Sequence, residues 1–91
     1  MCTYLTATEP VSGAGLGATG WFRLDQAVVY FDHPQQASAE HALCIDFRAG
    51  KGADPGRRVS VELDAASAKR LAETILSTLD SDEVKALEPQ F

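Results

Sequence analysis

Two short apolar runs, residues 27–31 (Ala-Val-Val-Tyr-Phe) and 43–47 (Leu-Cys-Ile-Asp-Phe), stand on either side of a Pro34-bounded polar stretch. Both are too short for helices and rich in β-branched and aromatic residues, so they read as the two strands of a hairpin. Pairing is close to determined. With His33 opposite His41, Phe31 meets Leu43, Val29 meets Ile45 and Ala27 meets Phe47, all on one face. A slip of one residue would split this apolar set between the two faces, which fixes the register. The other face then carries Val28, Tyr30 and Asp32 against Asp46, Cys44 and Ala42, a mixed surface.

The flanking sequence adds two strands and a helix. Residues 3–8 alternate as a first strand that Pro10 ends, and the glycine-rich residues 12–20 read as a loop. From Trp21 to His33 the chain is extended. Residues 49–56 form a second loop by composition, and residues 57–63 make a fourth strand with Val59, Val61 and Leu63 inward. Asp64 is a good helix N-cap, and over residues 65–79 Ala68, Leu71, Ala72, Ile75, Leu76 and Leu79 form one apolar stripe. Ser81 caps a last short turn carrying Val84 and Leu87, which Pro89 closes. Strands followed by a helix imply an α+β fold: a four-stranded, mainly antiparallel sheet with one C-terminal helix on one face. Residues 1–80 are expected to form the single domain, with 81–91 a short acidic tail.

Composition excludes several classes of function. The 91 residues suffice for one modest core, and 45% hydrophobic with 23% charged residues is ordinary for a folded chain. A net charge of −5, with Arg57-Arg58 and Lys69-Arg70 the only adjacent basic pairs, argues against nucleic acid, whose recognition needs clustered cations. No apolar run approaches the length of a membrane span, and the first residues lack the pattern of a secretory signal. A cytoplasmic protein with reduced Cys2 and Cys44 is expected. Gly15-Leu16-Gly17-Ala18-Thr19-Gly20 matches the dinucleotide fingerprint in letters alone, because Trp21-Phe22 continues as strand where the fingerprint requires a helix; no nucleotide cofactor is expected.

The motifs Met1-Cys2-Thr3-Tyr4, Gly20-Trp21-Phe22, Val29-Tyr30-Phe31-Asp32-His33-Pro34, Glu40-His41 with Ile45-Asp46-Phe47, and Val61-Glu62-Leu63 form a recognisable set. Through them the chain resembles an uncharacterised family of small actinobacterial proteins, from the first residue to about Leu79. The resemblance implies kinship and no activity. Members of that family often carry Asn at the position of Cys44, so it implies no general role for this thiol.

The chemistry must therefore come from the residues. Both histidines of the chain fall at one hairpin mouth, and imidazoles facing each other on adjacent strands can bring their nitrogens to a common ion. With Cys2 as third ligand, Cys2, His33 and His41 would hold one divalent transition metal, zinc, copper, nickel or iron, with an open position for a small enzyme, a sensor or a carrier. Asp32 and Glu40 are candidate partners for the outer ring N–H groups. Removal of Met1 would give Cys2 a free amine beside its thiol, a second route to chelation or to nucleophilic chemistry. The alternative is a non-enzymatic dimeric binding or accessory module, with the histidines serving as hydrogen bonders at the sheet end. Its motive is the mixed outer face holding Val28, Tyr30 and Cys44, which a homodimer would cover by symmetry. A small-molecule ligand stays open under either reading.

Overall fold

The computed structural model describes residues 5–49 and 57–88. The expected strand start at Thr3, the loop over residues 50–56, Pro89 as terminator and Cys2 all lie outside the described residues. Six elements follow in order: β1 (Leu5–Gly17), β2 (Gly20–Asp32), β3 (Ala42–Arg48), β4 (Arg58–Leu63), α1 (Ala65–Leu79) and α2 (Asp82–Leu87). The four strands form an antiparallel meander in the order β1-β2-β3-β4, with α1 over one face, so the fold is α+β.

Register follows the apolar alternation. Phe31 pairs with Leu43, Val29 with Ile45 and Ala27 with Phe47, and β3 hands the same face to β4 through Leu43 with Leu63, Ile45 with Val61 and Phe47 with Val59. Asp64 caps α1 as its side chain implies, its Oδ1 accepting the Ser67 N–H at 2.7 Å. That bond holds the Asp64 carboxyl below its ordinary value. Ser81 caps α2 in the same manner, accepting from the Val84 N–H.

The first strand differs from expectation. β1 does not end at Pro10 but runs to Gly17, and the glycine-rich segment read as a loop is the outer strand of a long hairpin. Two physical facts allow this. β1 is an edge strand, where a missing proline N–H leaves no inner ladder broken, and the register shifts between Pro10 and Gly13 as a bulge. Gly15 lies beneath Leu24, whose Cδ1 would stand 3.2 Å from an added Cβ, so the missing side chain makes room for a core leucine. Gly17 pairs with Gly20 across a tight turn at Ala18-Thr19, and Gly20 adopts φ +120°, a conformation open to glycine.

Burial also departs from the expected distribution. The sheet coils so far that parts of its edge strands, β1 and β4, come within 8 Å of each other. Small residues on the face away from α1 are thereby enclosed: Ala42 is 0% and Cys44 3% exposed, with Asp32 and Asp46 buried beside them. The surface expected to need a partner is thus largely covered. On the α1 side, by contrast, Val29, Phe31, Leu43, Ile45 and Phe47 are only half-buried, and α1 buries none of its residues. Leu71, Ile75 and Leu79 stay exposed, and Leu76 is 63% exposed. The stripe read as core rests on the sheet without being enclosed by it.

Candidate functional site

The hairpin mouth is built by the end of β2. Asp32 closes the ladder opposite Ala42, and its carboxylate accepts the His33 N–H at 2.7 Å, which turns the chain out of the strand ahead of Pro34. One register step beyond that last pair, the two histidines meet as expected. Their ring centroids are 4.8 Å apart at 32°, and the His41 ring also stacks on Phe31 at 5.8 Å and 20°. Phe31, His41 and His33 therefore form one column of rings. His33 Nδ1 lies 3.1 Å from the Glu40 carbonyl oxygen, so in the neutral ring Nδ1–H is the donor and Nε2 keeps the lone pair. A ligating histidine uses that arrangement, with one nitrogen held by backbone and the other presented outward.

The rest of the donor set is sparser than the sequence suggested. Glu40 meets His33 through its carbonyl, and one Asp32 carboxylate oxygen serves the adjoining backbone. Among the described residues no group of three or more His, Cys, Asp or Glu side chains is arranged to hold a metal ion. The described part of the proposed ligand set is thus the imidazole pair alone. Two imidazoles, one oriented by a carbonyl, fit a borderline-soft transition metal in chemistry and fall short of it in number.

Cys44 is placed apart from them. Its thiol lies on the opposite face, donating to the Ala42 carbonyl oxygen at 3.7 Å, and burial pushes its pKa up, with Glu62, Asp32 and Asp46 adding to the effect. Such a thiol is a poor nucleophile. Beside it the Tyr30 hydroxyl donates to Asp46 Oδ1 at 3.5 Å, and Asp46 pairs with Arg48 at 3.6 Å. Desolvation first, and Asp46 second, raise the tyrosine pKa.

One residue that shapes the mouth escaped the sequence reading. Glu62 on β4 accepts three backbone N–H groups from the connecting loop, Gln35 at 2.7 Å, Gln36 at 2.8 Å and Ala37 at 3.0 Å. These bonds favour the ionised form and hold its pKa below the ordinary value. The loop is clamped across the sheet to a strand that follows it by about 25 residues in sequence. No local signal marks such a residue, since its partners are main chain.

The ring column borders a second feature. Phe31 also lines a cleft of about 450 Å³ between the sheet and α1, whose walls are Val29, Leu43, Ile45 and Leu63 below and Ala68, Leu71, Ala72 and Ile75 above. Among the described residues Lys69 is the one charged residue in its lining. The space has the size and character of a binding cleft and, apart from that ammonium, carries no polar group to orient a reacting molecule.

Residues 15–20, the fingerprint match, occupy the β1–β2 turn and lead into a strand. The helix N-terminus that a pyrophosphate needs is not at that position. Among the described residues no helix is long and apolar enough to cross a membrane. The sequence model of a family of unknown function (DUF6295) matches residues 1–88. No curated protein and no solved structure matches the chain.

Proposed function

The chain belongs to that family of unknown function, and from its geometry we propose that it is a non-enzymatic, homodimeric binding or accessory module of the cytoplasm. One observation carries this reading: the apolar stripe of α1 and the sheet face beneath it leave an open cleft where a finished core should be. Monomeric proteins rarely leave so contiguous an apolar surface in water, and a second copy is the simplest cover for it. Sedimentation velocity on the full chain tests the idea. A dimer at micromolar concentration that Ile75→Glu converts to monomer is the expected result, and a wild-type monomer at every concentration would sink it.

The ring geometry at the hairpin mouth supports a second reading, in which one divalent transition metal is held by His33, His41 and Cys2. Nε2 of His33 is left with its lone pair by the bond at Nδ1, and the His41 ring is adjacent. Such an ion would supply Lewis acidity at the edge of the apolar cleft. Elemental analysis of untagged protein purified without chelators is the test: about one equivalent of a single metal, lost in a His33→Ala, His41→Ala double variant. Equal metal content in that variant would remove the assignment.

A further inference from the structure

The cleft has a counterpart on the same molecule. β2 pairs with β3 only from Gln26 onward, so among the described residues positions 20–25 and their β1 partners project beyond the sheet as a two-stranded arm. Near its tip Trp21, the chain's single tryptophan, is 72% exposed, and its cross-strand partner Leu16 is exposed with it. A bare two-stranded ribbon ending in an apolar pair is marginal in water and gains by being covered. The arm cannot reach its own cleft. Eight residues separate Trp21 from Val29 on the cleft floor, about 27 Å along a continuous strand.

By strand alternation Trp21, Arg23 and Asp25 stand on the same side of β2 as Ala27, Val29 and Phe31. Arm tip and cleft therefore share one face and lie at opposite ends of one strand. We infer that the arm of each copy seats Trp21 and Leu16 in the α1–sheet cleft of a second copy, so that each site is completed by the other chain. A two-fold axis between the facing sheets, running across the strands level with Asp25, superposes each tip on the opposite cleft at once. Charge does not oppose the contact. Although the chain carries −5, the arm offers one cation and one anion, Arg23 and Asp25, and the described cleft lining carries a single charge, the Lys69 ammonium. A broad, rigid aromatic in an apolar cleft is the usual anchor of a protein interface. The inference rests on the dimer reading above and assigns its anchor.

Tryptophan emission reports the contact directly, because Trp21 is alone. On the full chain, followed by sedimentation and fluorescence over the same dilution series, dimer formation should bring a blue shift and a loss of acrylamide quenching in step with the dimer fraction. Trp21→Ser should raise the dimer dissociation constant at least tenfold, and Ile75→Glu should leave a red-emitting monomer. A dimer whose tryptophan stays red and quenchable would overturn the arm placement while leaving the dimer intact. A wild-type monomer at all concentrations would overturn both, and a tryptophan that stays blue and protected in samples sedimenting as monomer would also overturn the arm placement. The wild-type dilution series decides the matter even where a variant fails to fold.

Discussion

Glu62 and Gly20 each hold a turn that the local sequence would not hold by itself. Three N–H bonds converge on the Glu62 carboxylate, so its pKa falls below the ordinary 4.5, and the direction fixes a pH window. The folded state binds this proton less readily than the unfolded chain. The clamp's contribution is thus complete above the unfolded value, declines as pH falls below about 4.5, and is gone beneath the lowered folded value. Glu62→Gln should lower the denaturation midpoint at pH 7 and show a smaller deficit against wild type at pH 3. Amide exchange at residues 35–37 should accelerate in the variant, and a wild-type pattern there would exclude the clamp. Gly20→Ala tests backbone alone, since an added Cβ would meet nothing within 4 Å while φ stays at +120°. A loss of about 1–3 kcal/mol by denaturant titration is expected, the usual range for such strain. The histidine pair was legible because register placed both residues; Glu62 was not, because bonds to main chain leave no trace in residue type.

At the scale of elements, legibility tracked the kind of signal each segment carried. The β2–β3 register was readable since only one pairing keeps Phe31, Val29, Leu43, Ile45 and Phe47 together. α1 was readable from its stripe and the Asp64 cap. β1 was half hidden. Pro10 and Gly13, Gly15 and Gly17 all carry loop statistics, while the causes of strand there are tertiary: an edge position for the proline and the Leu24 side chain over Gly15. A hydrophobic stripe states which side of a helix faces an apolar neighbour and says nothing of how closely, so the open cleft lay beyond sequence. The arm supplies the measurement at this scale. Among the described residues its positions 20–25 lack a second neighbouring strand, whereas residues 26–31 are paired on both sides. Amides 20–25 should exchange much faster than amides 26–31 in dilute protein and become protected as concentration rises into the dimer range. Uniform protection along β2 at high dilution would show that the arm is stable unaided.

For the whole molecule the question is what a chain of this size gains by staying single. Its radius of gyration is 14.8 Å over a body 44 Å long, against about 12 Å for a compact domain of 91 residues. No large side chain is fully buried among the described residues, and the most enclosed groups are small: Ala27, Ala42 and Cys44. Such a chain holds much of its hydrophobic free energy in reserve at Leu71, Ile75, Leu76 and Trp21. If a second copy realises that reserve, stability and association become one equilibrium, and the thermal midpoint must rise with protein concentration. Salt should act in the same direction. Each copy carries −5, so bringing two together is opposed by long-range repulsion that screening removes, while the apolar contact itself is insensitive to moderate salt. Calorimetry over a hundredfold concentration range, at low and at physiological ionic strength, should therefore give a midpoint that climbs with concentration and climbs from a higher start in salt. A midpoint flat in concentration would mean that the described monomer is the stable unit, and that its cleft is stable in water without a second chain.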